Sequence, residues 1–114
     1  MKVYISGKIT GDPEYREKFQ SAKERLEKLD HIVLNPAQLP EGMTAADYMR
    51  VNFAMIDVAD LVVFLPDWRS SKGARLEQAY CEYIGKETVL PEDPYWEMKQ
   101  YTGNFYVPEK ERYK

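Results

Sequence analysis

Glu77 is the residue of this chain best placed for covalent chemistry. It closes the run Ser70-Ser71-Lys72-Gly73-Ala74-Arg75-Leu76-Glu77, in which a polar glycine loop passes into a helical pattern. Helical spacing puts Glu77 on one row with Gly73, Tyr80, Cys81 and Ile84, a largely apolar row that is expected to face inward. A helix start keeps a carboxylate ionised and stabilises it by ~0.3–1 kcal/mol. Set inward beside a glycine loop, such a group can attack an electrophilic carbon or steady positive charge as it develops. A surface glutamate would use the same dipole and do no chemistry, so the row decides between the two readings.

Three further features bear on that site. Gly7-Lys8-Ile9-Thr10-Gly11 and Ser70 to Gly73 are glycine-bearing loops that each follow an apolar run. If those runs are parallel strands, both loops leave the same edge of the sheet and can face one cleft. Gly7, Gly11 and Gly73 permit close backbone approach, Ser6, Thr10, Ser70 and Ser71 offer hydroxyls, and Lys8 and Lys72 add charge, a set suited to a phosphate. Neither loop is a Walker loop or a complete dinucleotide fingerprint, and each also reads as a plain turn. Asn52 interrupts the otherwise apolar row Tyr48, Asn52, Ile56, Ala59, and a polar amide there needs a partner, either a neighbouring loop or a ligand. Tyr4 lies near the end of the first apolar run, where its phenol can reach the cleft. His31 falls at the opposite edge and is given no catalytic role.

The elements that must position these groups alternate. Val3 to Ser6 is a β-branched and aromatic run. Asp12-Pro13 reads as cap and first residue of a helix, whose stripe is Tyr15, Phe19, Ala22, Leu26 and Leu29. His31 to Leu34 is a second short strand, closed by Asn35-Pro36. Thr44 and Asp47 form a capping box for a helix reaching about Val58. Leu61 to Leu65 is an unbroken apolar run, the mark of a strand buried on both faces. A third helix follows from about Gly73 to Ile84, stopped by Gly85, and Glu87 to Leu90 is a fourth strand. The pattern predicts an α/β fold: a doubly wound, Rossmann- or flavodoxin-like parallel sheet of four to five strands with helices on both faces.

Composition narrows the function classes. The chain has 114 residues, one domain in size, with 44% hydrophobic and 31% charged residues. A net charge of −3 argues against a nucleic-acid polymer or an anionic membrane as partner. No apolar run approaches the ~20 residues of a membrane span, and Val3 to Ile5 is too short for a signal peptide. The single cysteine, Cys81, excludes an internal disulfide and a cysteine metal cluster and fits a reducing compartment, the cytoplasm. Residues 1–90 read as the α/β domain. Residues 91–114 depart from the pattern and carry Tyr95, Trp96, Tyr101, Phe105, Tyr106 and Tyr113, a tail expected to pack on the domain, on a second subunit or over the site.

Tyr4-Ile5-Ser6-Gly7-Lys8-Ile9-Thr10-Gly11, Ala59-Asp60 before a strand, and Ser71-Lys72-Gly73-Ala74-Arg75-Leu76-Glu77 together resemble the nucleoside 2-deoxyribosyltransferase superfamily. That superfamily includes the 2'-deoxynucleoside 5'-phosphate N-hydrolases, and the likeness is closest to a small phage and bacterial branch described as a domain of unknown function. The resemblance covers about Lys2 to Leu90. It implies that Glu77 is the nucleophile that attacks the anomeric carbon of a deoxyribose, that Tyr4 positions it, and that Ser71, Gly73 and the loop at Lys8 and Thr10 cradle a 5'-phosphate. It also implies a small-molecule nucleoside or nucleotide as partner, a homodimer or larger homo-oligomer, and no metal or organic cofactor. The best-known relatives carry an aspartate where this chain has Asn52, and an amide can hold a base but cannot deliver a proton as a carboxylic acid does. Asp57 and Asp67 are the substitutes within the sequence.

The expectation is therefore an N-glycosidase or deoxyribosyltransferase acting on a 2'-deoxynucleoside or its 5'-monophosphate. Its catalytic residues are Glu77, Tyr4 and Asn52, and its substrate-binding residues Ser6, Gly7, Lys8, Thr10, Gly11, Ser71 and Gly73. The alternative is a nucleotide-binding sensor without turnover, favoured by Asn52. A structural or interaction domain is a further reading, for which the aromatic tail speaks.

Overall fold

The computed structural model describes residues 1–93 of the chain. The elements run β1 (Lys2–Ser6), α1 (Tyr15–Glu27), β2 (Ile32–Leu34), α2 (Ala45–Val58), β3 (Leu61–Phe64), α3 (Lys72–Ile84) and β4 (Thr88–Val89). Short 3-10 turns lie at Pro36–Gln38 and Trp68–Ser70. The four strands of the described residues are all parallel, in the order β2-β1-β3-β4. The chain winds from β1 outward to β2, then crosses back over β1 to β3. The sheet therefore reverses direction between β1 and β3, and in such folds the crevice outside the carboxyl ends of those two strands receives ligands.

Alternation along the central strands sorts the core into two layers. Val3 and Ile5 of β1 and Leu61 and Val63 of β3 meet Phe19, Ala22 and Leu26 of α1. Tyr4, Val62 and Phe64 face the other way, onto Ile56 of α2 and Ala74 and Cys81 of α3. β1 and β3 are buried on both sides, which is why their sequences are unbroken apolar runs. Each fully covered Val, Ile, Leu or Phe side chain contributes ~1.5–3 kcal/mol, so these two strands anchor everything at their ends.

The helix boundaries follow their local chemistry. The capping box at α2 forms on both sides: Thr44 Oγ1 accepts from the Asp47 N–H at 3.1 Å, and Asp47 Oδ2 accepts from the Thr44 N–H at 3.2 Å. α3 begins one residue earlier than expected because Ser71 Oγ accepts the Ala74 N–H at 3.1 Å. Gly85 ends it in the left-handed region, φ +73°.

Some expectations need correction. α1 does not open at Asp12-Pro13 but at Tyr15. Asp12 instead builds a turn: its N–H bonds the Ile9 carbonyl, one carboxylate oxygen takes the Glu14 N–H and the other takes Lys18 Nζ at 2.6 Å. The aspartate has the caps of its own turn to make and leaves Glu14 in the cap position. Ile84, placed on the inward row, is 41% exposed, since the row drifts outward at the last turn of α3. Leu29 lies beyond the end of α1, and β4 is only the two residues Thr88 and Val89. The tail aromatics Tyr95, Trp96, Tyr101, Phe105, Tyr106 and Tyr113 lie outside the described residues.

Candidate functional site

The site is assembled from three elements at one corner of the sheet. Period-two alternation turns Tyr4 and Ser6 of β1 toward the layer that holds α2 and α3. The inward row of α2 presents Asn52 and that of α3 presents Glu77, and all four side chains are buried. Ser6 Oγ donates to Glu77 Oε1 at 2.7 Å, and Asn52 Nδ2 donates to Glu77 Oε2 at 3.1 Å. The amide orientation is fixed by that contact, because the opposite flip would set an oxygen against a carboxylate.

Glu77 as a residue is 4% exposed. Burial raises its pKa above the usual range, while the Ser6 hydroxyl, the nearby Tyr4 hydroxyl and the Asn52 amide pull it back down. Tyr4 is completely covered, and its phenol pKa is pushed well above the ordinary value by burial first and by the charge of Glu77 second. The hydroxyl thus stays protonated and electrostatically coupled to the carboxylate, and it completes no well-formed hydrogen bond among the described residues. Asn52 Oδ1 is likewise buried without a partner among the described residues. A hydroxyl and a carbonyl oxygen left unpaired around one buried carboxylate leave bonds for a ligand or water to make. Cys81, one turn beyond Glu77, has its thiol pushed up to about 12 by burial and by Glu77, so it stays a neutral packing group.

The loop after β1 lies against the segment that leaves β3. The Leu65 N–H bonds the Ser6 carbonyl at 2.8 Å, and the Lys8 N–H donates to Asp67 Oδ1 at 3.1 Å. A Cβ on Gly7 would stand 2.9 Å from Leu65 Cδ1 and 3.0 Å from Leu65 Cβ, so the approach depends on glycine there. Lys18 ties the arrangement: its Nζ donates to the Lys8 carbonyl at 2.9 Å, pairs with Asp12 at 2.6 Å and also pairs with Asp67.

Of the candidate residues, Tyr4, Ser6, Asn52 and Glu77 converge directly. Gly7 and Lys8 hold the loop beside them, and Ser71 and Gly73 stand at the start of α3, with Met49 of α2 against Gly73. Thr10 and Gly11 lie exposed at the outer part of their loop, Gly11 at φ +83°. Asp57 accepts the Tyr80 hydroxyl at 2.7 Å on the exposed seam between α2 and α3, and Asp67 is occupied by Lys18 and the Lys8 N–H. Neither therefore stands as a spare acid beside Glu77. The Lys18 clamp was not legible in the sequence, where it is one charge among many on an amphipathic helix. His31, set aside above, is buried and places Nδ1 3.2 Å from the N-terminal amine. A separate open groove of about 660 Å³ runs along α1, lined by residues that include Arg16, Gln20, Glu24 and Asn35, and shares no residue with the site.

Residues 1–90 match a family described as Domain of unknown function (DUF4406). No curated protein matches the chain. Among solved structures, the 2-deoxyribosyltransferase of Bacillus psychrosaccharolyticus superposes with a TM-score of 0.64 at 22% identity, over 79% of this chain and 71% of that one. The 2-deoxyribosyltransferase of Leishmania mexicana superposes with a TM-score of 0.63 at 18% identity, over 78% of this chain and 62% of that one. The fold is thus the flavodoxin-like fold of those enzymes.

Proposed function

The chain belongs to the DUF4406 family, and from the site it builds we propose that it cleaves or exchanges the N-glycosidic bond of a 2'-deoxynucleoside or its 5'-monophosphate, with Glu77 as nucleophile. The observation that carries this reading is a buried carboxylate with no cation beside it among the described residues, held by Ser6 and Asn52 at the switch point of the sheet. A carboxylate so placed is suited to an electron-poor carbon. As the bond from C1' to the base breaks, its electron pair leaves with the base nitrogen and positive charge builds on the sugar. A Glu77 oxygen bonds to C1', giving a glycosyl ester. Water then attacks C1', loses a proton and frees Glu77 in hydrolysis; in exchange, the nitrogen of a second base takes its place. Ser6 and Asn52 orient the two carboxylate oxygens, and Tyr4 adds a neutral phenol that favours the charged form.

Ser71, Gly73, Lys8, Gly7, Thr10 and Gly11 are the proposed sugar and phosphate contacts. They flank the N-terminus of α3 and the adjacent loop, where backbone N–H groups favour an anion. Asn52 Oδ1, unpaired in the cluster, is suited to accept from the ligand.

A second reading is a nucleotide sensor that binds and does not turn over. The observation favouring it is that the Asn52 amide cannot protonate the departing base as a carboxylic acid would, and that Asp57 and Asp67 are engaged elsewhere. Incubation with a panel of deoxynucleosides and their monophosphates, followed by chromatography for free base, separates the two. Base release that requires the protein supports the enzyme, whereas saturable binding with no release supports the sensor. Neither binding nor release would overturn both.

A further inference from the structure

Lys18 bears on the site only through other residues, and its whole bonding capacity goes to them. An ammonium has three hydrogens. Those of Lys18 reach the Lys8 carbonyl at 2.9 Å, Asp12 Oδ2 at 2.6 Å and Asp67 Oδ2. The two carboxylates are equally committed: Asp12 Oδ1 takes the Glu14 N–H at 2.9 Å, and Asp67 Oδ1 takes the Lys8 N–H at 3.1 Å. The backbone of Lys8 is thus held at both ends, by Asp67 on its N–H and by Lys18 on its carbonyl. The side chains of Lys18, Asp12 and Asp67 are 27%, 22% and 30% exposed, so salt screens them less than it would a surface pair. The Lys8 ammonium stands apart from this set, since it donates to no group among the described residues. Its chain lies along its own loop, with Cε 3.9 Å from where a Cβ on Gly11 would stand. Asp12 is within reach of that charge: its carboxyl is held below the usual range by the Lys18 bond first, with a smaller contribution from Lys8.

We propose that Lys18 is a positioning residue that sets the ligand preference of the site: by claiming Asp12 and Asp67, it keeps the Lys8 ammonium free for an anionic group of the ligand. The inference rests on the proposed role of Lys8 and its loop as phosphate contacts, and adds the residue on which that role depends. Two carboxylates flank the loop, and each would attract Lys8 and repel a phosphate. With Lys18 in place, the charges of Asp12, Asp67, Lys8 and Lys18 balance, and every carboxylate oxygen of the set has its hydrogen bond. Without Lys18 the set carries one excess negative charge, and the freed oxygens of Asp12 and Asp67 compete with the ligand for Lys8. The clamp also fixes the loop backbone before a ligand arrives, so less ordering is left for binding to drive.

The test is titration calorimetry of the full chain, at low salt, with a panel of 2'-deoxynucleosides and their 5'-monophosphates. The readout is the affinity of each monophosphate relative to its nucleoside. Lys18→Met is expected to lower that ratio about tenfold or more while nucleoside affinity changes little, and Lys18→Arg to restore most of it. Asp12→Asn also breaks an ion pair of the clamp, but it keeps an acceptor for the Glu14 N–H and removes a negative charge. The ratio is expected to rise in that variant and to return toward the native value when Lys18→Met and Asp12→Asn are combined. A clamp that only stiffened the fold would move both single variants the same way. A ratio that both lower, or that neither moves, therefore overturns the inference. So does a native chain that binds nucleosides and monophosphates equally, and both results leave the chemistry at Glu77 standing. A native chain that binds no member of the panel overturns the inference and the reading beneath it together.

Discussion

Glu77 occupies a position where the packing alone would favour a leucine or methionine, between Cys81 on its own helix and Tyr4 on the strand beneath. Its charge is carried by hydrogen bonds rather than by a cation, which leaves a stability cost that should be measurable. Burial raises its folded pKa above the unfolded value, so between those two pKa values the folded state holds the extra proton and stability falls as pH rises. Glu77→Gln removes the charge and lets Asn52 turn its orphan Oδ1 toward the new amide. The variant is therefore expected to melt higher than the native protein at pH 7–8. The gap should begin to close as pH falls through the raised folded pKa and be closed below the usual glutamate value of ~4.3, where the carboxyl is neutral in both states. Melting curves across pH check this; a variant that melts lower at pH 8 would show the carboxylate to be a net stabiliser. Tyr4→Phe should slow base release less than Glu77→Gln does, about 10- to 100-fold, because it removes one phenol and leaves the nucleophile. Steady-state rates of base release check it, and equal losses for both variants would contradict it.

At the scale of elements, the approach of the β1 loop to the end of β3 rests on Gly7. Gly7→Ala would push a methyl to 2.9 Å from Leu65, and the expected loss is ~1–3 kcal/mol of stability, read by urea denaturation. A silent substitution would show the loops free to separate. This is also the scale at which the sequence was most legible. The runs at Val3 to Ser6 and Leu61 to Leu65, the Thr44 and Asp47 capping box and the Gly85 stop each have a local cause, and each appears within a residue or so of its expected place. Glu77 and Asn52 were legible for the same reason, as polar interruptions of apolar helical rows. Asp12 was misread because a cap signal is satisfied equally well by a turn, and only Lys18, a residue on another element, decides between them. The Lys18 clamp and the pairing of Asp67 are long-range choices among many exposed charges, for which spacing carries no signal. Ile84 shows the limit of a helical row near a terminus, where the helix outruns the sheet that covers it.

For the whole molecule, the reversal of the sheet between β1 and β3 gathers the carboxylate, the glycine loops and the start of α3 at one edge. The overall charge of −3 gives a nucleotide no long-range help, so any preference for a 5'-phosphate must come from local donors, for which Lys8, Ser71 and the backbone at Gly73 are proposed. Monophosphates are then expected to bind several-fold tighter than nucleosides at low salt, with the margin shrinking as salt rises. Titration calorimetry with both ligand classes over a salt series checks this, and equal affinities throughout would remove the phosphate from the account. The most direct measurement of the central claim is the intact mass of the protein after incubation with a 2'-fluoro-2'-deoxynucleoside, whose fluorine slows release of the sugar from the enzyme. The native chain is expected to gain the mass of one fluorinated sugar as free base appears, with the adduct mapping to Glu77, and Glu77→Gln is expected to gain none and release no base. A sugar adduct on the Glu77→Gln protein, or base release undiminished by that substitution, would contradict the account.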